Sequence, residues 1–307
     1  MMKVLRVVLV LAALLLPVTG ANASPRGDWA AGWEQATGGA MVGAATAAAR
    51  MMQGARVLDT RSSEEFEAGH LAGSVRVGPE RLLAAQSGQL VLVPSLDAPN
   101  GVLVVGKMGG RGSWWGEQGW LGMVLRSTGV LATVAMVEPS EVAAAAGVEL
   151  VAGASEEKGW MRLVEVPQQR EGVLRLEEAA AAQRSGEMVF LDVRSSAEFE
   201  GATFFGEARG GHIAGARAAA WESLAREDGW PLEASRWRAV VEGVLAGSKA
   251  PVAVYCTGGV RSGFVAFALR TMGLPAANFE GSIWAWSADP ALPMERGSGQ
   301  RDAGKAR

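Results

Sequence analysis

The stretch Val252-Ala253-Val254-Tyr255-Cys256-Thr257-Gly258-Gly259-Val260-Arg261-Ser262-Gly263 holds the only cysteine among 307 residues. It opens as a short apolar strand and breaks at the glycine pair 258–259. Phe264 to Met272 then reads as helix, stopped by Gly273. In the order strand, tight loop, helix, the loop amides from Thr257 to Arg261 can converge on one point. The helix N-terminus adds its own unpaired N–H groups and positive dipole end. An anion is stabilised there. The atom best placed to be that anion is the Cys256 sulfur, because thiol pKa values fall to roughly 3.5–7.5 at helix N-termini and beside arginine. Arg261 supplies the charge. The alternative is a buried cysteine acting as a small hydrophobe, which requires neither Thr-Gly-Gly after it nor an arginine closing the loop.

A chain of 307 residues has room for about two domains, and 49% hydrophobic residues can furnish their cores. A net charge of −3 leaves no basic footprint, so nucleic acid is excluded as a partner. At the N-terminus, Lys3 and Arg6 precede an apolar run from Val7 to Leu16, then Pro17 and Ala21-Asn22-Ala23. That is the layout of a secretory signal peptide over residues 1–23. The run is shorter than the about 20 apolar residues of a membrane span. The expectation is a periplasmic or secreted protein, free of the membrane after cleavage. With one cysteine there is no internal disulfide, and the thiol stays available for chemistry.

Working outward, Val189-Phe190-Leu191-Asp192-Val193-Arg194-Ser195-Ser196-Ala197-Glu198-Phe199-Glu200 matches Arg56-Val57-Leu58-Asp59-Thr60-Arg61-Ser62-Ser63-Glu64-Glu65-Phe66-Glu67 at an offset of 133 residues. Gly211-His212-Ile213-Ala214-Gly215 likewise matches Gly69-His70-Leu71-Ala72-Gly73 after an insertion at 201–210. The period is far too long for a solenoid, so this is a duplicated domain. Strands alternating with helical patterns argue a parallel α/β sheet in each copy. The two histidines, His70 and His212, occupy equivalent turns, which suits a structural hydrogen-bonding role better than catalysis. Asp59, Arg61, Asp192 and Arg194 read as framework polar groups, with Asp192 and Arg194 also able to set the field near Cys256. Before the first copy, Asp28 to Met52 reads as helix with an interruption at Gly38-Gly39, and carries Trp29 and Trp33. The first copy has its own loop, Gly106-Lys107-Met108-Gly109-Gly110-Arg111, in which Gly106 stands where the second copy has Cys256. Trp114 and Trp115 beyond it read as core or domain interface.

The Cys256 loop, the paired Asp-x-Arg and Gly-His-[Ile/Leu]-Ala-Gly signatures, and the stretch Phe279-Glu280-Gly281-Ser282-Ile283-Trp284-Ala285-Trp286 resemble the rhodanese superfamily. The last is similar to the C-terminal signature of two-domain thiosulfate and 3-mercaptopyruvate sulfurtransferases. The resemblance implies an α/β fold of two tandem domains, each a mainly parallel sheet flanked by helices on both faces. An N-terminal domain without nucleophile (24–150), a linker (151–172), an active C-terminal domain (173–296) and a polar tail (297–307) are expected.

It further implies that Cys256 attacks a small anionic sulfur donor, keeps its outer sulfur as a persulfide, and yields it to a thiol, cyanide or a protein acceptor. Thr257, Gly258, Gly259, Val260 and Arg261 would bind the donor, with Arg261 holding its charge. Neither metal nor organic cofactor is implied. The loop Cys256–Arg261 has the six-residue length that suits a sulfur atom in this superfamily; related phosphatases and arsenate reductases have one residue more. Two departures stand out. Glu198 occupies a position where the named sulfurtransferases carry a donor-binding arginine, and the loop matches neither their thiosulfate nor their mercaptopyruvate type. Arg209 or Arg217 is a candidate replacement for the missing charge. A non-enzymatic persulfide carrier or protein-binding module is the alternative, and a redox-sensing thiol a third reading, weakened by the lack of a resolving cysteine.

Overall fold

A computed structural model describes residues 27–78, 91–94, 98–109, 116–154, 161–164 and 170–297. The expected signal peptide, the Trp114-Trp115 pair, Arg111 and nearly all of the polar tail lie outside these residues. The first half builds a five-stranded sheet from β1 (Met41–Val42), β2 (Arg56–Asp59), β3 (Val75–Arg76), β5 (Val102–Val105) and β6 (Ala132–Ala135), ordered β1-β6-β5-β2-β3. Strand β4 (Val91–Pro94) stands apart and pairs antiparallel with β7 (Met161–Val164). The second half repeats the main sheet with β8 (Val173–Leu174), β9 (Val189–Asp192), β11 (Arg217–Ala218), β12 (Val252–Tyr255) and β13 (Ala276–Phe279). Its order is β11-β9-β12-β13-β8, the same arrangement written from the other edge. Every pairing in both five-stranded sheets is parallel. Strand β10 (His212–Ile213) instead pairs antiparallel with β14 (Met294–Glu295), tying the exit of the second half to its insertion.

Parallel strands need crossovers, and helices supply them. The central strands β5 and β12 are buried along their whole length, as expected for a sheet covered on both faces. In each copy the strand carrying Asp-x-Arg leads into a short helix, Ser63–Ala68 or Ser196–Glu200, with the same capping box: Ser62 with Glu65, and Ser195 with Glu198. Arg61 closes on Asp59 and donates to Gly69 O at 2.8 Å; Arg194 closes on Asp192 and donates to Gly211 O at 2.7 Å. Each histidine hydrogen-bonds through Nδ1 to the carbonyl of the preceding phenylalanine, Phe66 or Phe199, and stacks on its ring. Their role is structural. Of the described residues in the interval expected as a linker, 161–164 form β7 and Val151 exchanges both backbone hydrogen bonds with His70, because extended backbone against a folded surface satisfies its polar groups there.

The two halves share one core. Helix Gly116–Ser127 of the first lies along helix Val260–Thr271 of the second. Their close approach depends on missing side chains: a Cβ on Gly119 would fall 2.5 Å from the Phe264 ring, and one on Gly263 2.4 Å from Trp120. Helix Gly27–Ala36 docks through aromatic edges on helix Ala234–Leu245, where Trp33 meets Trp237 at 5.5 Å between centroids, and on the segment before it, where Trp29 meets Trp230 at 5.3 Å. The indole N–H groups of Trp29 and Trp33 donate to Pro231 O and Leu232 O, each at 3.0 Å. Gly38 and Gly39, with φ of 57° and 77°, make an ordered turn into β1. Trp33→Ala empties a fully buried site between the halves. It is expected to lower the unfolding free energy by about 3–5 kcal/mol, measured by urea denaturation followed by circular dichroism.

Candidate active site

Cys256 follows directly on β12, and the helix starts at Val260, four residues before the sequence pattern placed it. Gly259 caps the helix with φ 91°, a left-handed conformation that disfavours any side chain. That turn aims the Gly259 N–H at Cys256 Sγ, 3.1 Å away. Ser262, just outside the expected six-residue loop, adds its hydroxyl at 3.5 Å and its backbone amide. The single hydroxyl proton is shared between that sulfur and Asn278 Oδ1, the nearer acceptor at 2.7 Å, while Asn278 Nδ2 donates to Gly259 O and steadies the turn.

The C-terminal signature explains itself as a staple on this loop. Ser282 Oγ accepts the Cys256 N–H at 3.1 Å, Ile283 N donates to Cys256 O, and Trp284 N donates to Thr257 O. Ser282 adopts φ 46° to do so. Trp284 lies across the loop, so a Cβ on Gly258 would meet its ring at 2.5 Å.

Cys256 is 2% exposed and belongs to the buried core, and it also lines a pocket. A cavity of about 260 Å³ is lined by Cys256, Thr257, Gly258, Val260, Arg261, Phe205, Trp284 and, from the first half, Glu117. Trp284 Nε1 donates to Phe205 O at 3.0 Å, tying the insertion to this wall.

Arg261 lines the pocket, and its guanidinium already has a carboxylate partner. Its two terminal nitrogens bind Glu198, Nη1 to Oε2 at 3.1 Å and Nη2 to Oε1 at 2.9 Å, and Nη2 also meets Thr257 Oγ1 at 2.6 Å. Thr257 Oγ1 donates to the same carboxylate at 2.7 Å. The pair is buried, with 5% of Arg261 and 2% of Glu198 exposed. Burial pushes the Glu198 pKa up, but the hydrogen bonds and charge of Arg261, with Thr257 and Ser195, outweigh it and hold the carboxyl at about 2. Burial likewise raises the Cys256 pKa. The Arg261 charge, followed by Ser262 and the Gly259 amide, reverses that and leaves the thiol below its ordinary value.

Neither proposed substitute for the missing charge reaches this site. Arg209 donates to four carbonyls, those of Trp286, Ser287, Asp289 and Leu292, satisfying the C-terminal end of helix Ser282–Ala288. Arg217 donates to Val244 O and Leu245 O at the end of helix Ala234–Leu245. Asp192 and Arg194 form a buried ion pair at 2.7 Å that faces Gly211 and does not line the pocket. The Glu198 partnership escaped the sequence reading, since its two residues are 63 apart. The signal for an anchored carboxylate was nevertheless present in the capping pattern Ser195-x-x-Glu198 and its copy Ser62-x-x-Glu65.

The first copy shows what the frame does without a thiol. A Cβ on Gly106 would lie 2.3 Å from Thr60 Oγ1 and 2.8 Å from the Gln118 side chain, so no side chain fits there. The amides of Met108 and Gly109, counterparts of Gly258 and Gly259, both donate to Glu138 Oε1, at 2.8 and 3.3 Å. A carboxylate of the chain itself occupies that cradle.

These features define a duplicated parallel α/β protein with one thiol-bearing loop at a helix N-terminus. The rhodanese-like domain model matches residues 44–124 and 175–289, and the chain belongs to the rhodanese family. A curated Mycobacterium tuberculosis protein, "Putative thiosulfate sulfurtransferase SseB", is 33% identical over 126 residues. That match spans 40% of this chain and 44% of SseB, less than half of the curated relative. Among solved structures, the anaerobic ergothioneine biosynthesis enzyme of Chlorobium limicola, bound to trimethyl histidine, superposes with TM-score 0.65 at 17% identity. It covers 85% of this chain and 71% of its own. SseA of Escherichia coli, a 3-mercaptopyruvate sulfotransferase, gives TM-score 0.58 at 20% identity, over 79% of this chain and 98% of its own. At these identities the structural likeness establishes the fold.

The electrostatics predict that Cys256 is alkylated by iodoacetamide with a pH midpoint below the roughly 8.5 of a free cysteine. Arg261→Met should move that midpoint upward, read from alkylation rate against pH by mass spectrometry.

Proposed function

We propose that this protein is an exported sulfurtransferase that carries sulfane sulfur on Cys256. The observation that carries the reading is Cys256 in the lining of a pocket, its sulfur accepting the Gly259 N–H within the field of Arg261. The thiolate attacks the outer sulfur of a donor of the thiosulfate or mercaptopyruvate type. An S–S bond forms at Sγ, the donor's bond to that sulfur breaks, and the electron pair leaves with sulfite or with the pyruvate enolate, which takes up a proton. A thiolate or cyanide then attacks the terminal sulfur and releases the Cys256 thiolate. This is covalent catalysis in two displacements, in which the helix N-terminus and loop amides stabilise the anionic sulfur in both states.

Export rests on the charged, apolar and small-residue layout of residues 1–23. Among the described residues no helix is long and apolar enough to cross a membrane. A small donor and a thiol, cyanide or protein acceptor are the proposed partners.

The mature chain, supplied with thiosulfate or 3-mercaptopyruvate and cyanide, should produce thiocyanate, and Cys256→Ser should reduce it to the uncatalysed rate. A wild-type chain inert with both donors would remove the proposal. Slow turnover with a long-lived persulfide would instead favour a carrier that hands sulfur to one protein partner.

A further inference from the structure

We propose that the cleft between the two halves, at the ends of their packed helices farthest from Cys256, binds a small organic monocarboxylate through Arg126. The site is separate from the thiol loop and does not depend on the sulfurtransferase reading. Helix Val260–Thr271 runs about 18 Å from that loop to the cleft.

The duplication builds the cleft. Helices Gly116–Ser127 and Val260–Thr271 are counterparts in the two copies, and Arg126 and Arg270 hold the penultimate position of each. Each arginine donates to the carbonyl of the alanine that opens the following strand, Arg126 Nε to Ala132 O at 2.9 Å and Arg270 Nη1 to Ala276 O at 3.1 Å. Packing the helices together brings both arginines to one cavity of about 400 Å³, the size of a small-molecule site. Their surroundings then differ. Arg270 Nη2 is taken by Glu171. Arg126 lies over the Phe267 ring, 5.4 Å from its centroid, and has no carboxylate partner among the described residues. It keeps contact with solvent, and partial burial lowers its pKa with no acid nearby to offset the effect. The edge formed by its Nη1 and Nη2 is left for a ligand.

That edge matches a carboxylate, which two parallel N–H donors hold bidentately. The charged residues lining the cavity are Arg126, Arg270 and Glu171, a surplus of one positive charge that a monoanion balances. Met123, Val130 and Leu131 line the same space and can cover a hydrocarbon body. Helix C-termini repel anions, but turn amides and the hydroxyls of Ser127 and Thr271 already bond to carbonyls there.

Isothermal titration calorimetry of the full mature chain with sodium benzoate tests this, with benzamide and inorganic phosphate as comparison solutes. Benzoate should bind saturably and raise Tm, while benzamide and phosphate bind roughly tenfold more weakly or not at all. Arg126→Met should weaken benzoate binding by roughly tenfold or more. Leu131 is 59% exposed, so Leu131→Glu should fold normally, add an acid to the cleft and weaken benzoate too; it decides the matter if Arg126→Met does not fold. Saturating benzoate should leave the rate of Cys256 alkylation by iodoacetamide unchanged. The proposal is overturned by no saturable benzoate binding, by full affinity in folded Arg126→Met, by phosphate binding as tightly as benzoate, or by protection of Cys256. Thiocyanate formation, measured separately, decides the sulfurtransferase reading whichever of these results is obtained.

Discussion

A sulfur anion has to persist where almost no water reaches it. Cys256 is 2% exposed, and burial on its own favours the neutral thiol. What reverses that preference is first the Arg261 charge, then the hydroxyl and amide of Ser262, then the Gly259 amide at 3.1 Å, all at the start of the Val260–Thr271 helix. Each depends on a feature elsewhere. The amide points correctly because Gly259 takes a left-handed turn, steadied by Asn278. The loop backbone is held by Ser282, Ile283 and Trp284. Arg261 stays buried and ionised because Glu198 meets it, and Glu198 is positioned by the capping box on Ser195. Removing either partner of that pair would strand a buried charge.

The duplication isolates what the thiol requires. Both halves build the same sheet order, the same Asp-x-Arg clamp, the same histidine stack and the same capped helix. In the first half the clamp's neighbour Glu65 pairs with exposed Lys107, and Glu138 fills the amide cradle. In the second half Glu198 pairs with buried Arg261, and the cradle serves Cys256. The frame is thus common, while the charges placed in it differ. The first half still matters to the site, since helix Gly116–Ser127 packs against the loop helix and contributes Glu117 to the pocket wall.

Much of this was legible in the sequence because it is local or repeated. The strand–loop–helix around Cys256, the offset of 133 residues and the glycine at position 106 all announce themselves within short windows. What was not legible is long-range. The Glu198–Arg261 pair joins residues 63 apart, so Glu198 read as a missing arginine rather than a partner already present. Arg209 and Arg217 looked available for a donor because no local pattern reveals that carbonyls at distant helix ends claim them. Nothing near Trp29 and Trp33 in the sequence announces that they fasten one half onto the other through Trp230 and Trp237.

The central claim is that this one buried sulfur accepts and holds a second sulfur atom. Intact-mass and peptide-mapping spectrometry of the purified chain, before and after exposure to a sulfane-sulfur donor, tests it most directly. The account predicts a gain of one sulfur atom per chain, confined to the Cys256 peptide and removed by cyanide. A Cys256 that acquires only oxygen, or no mass at all, would contradict it.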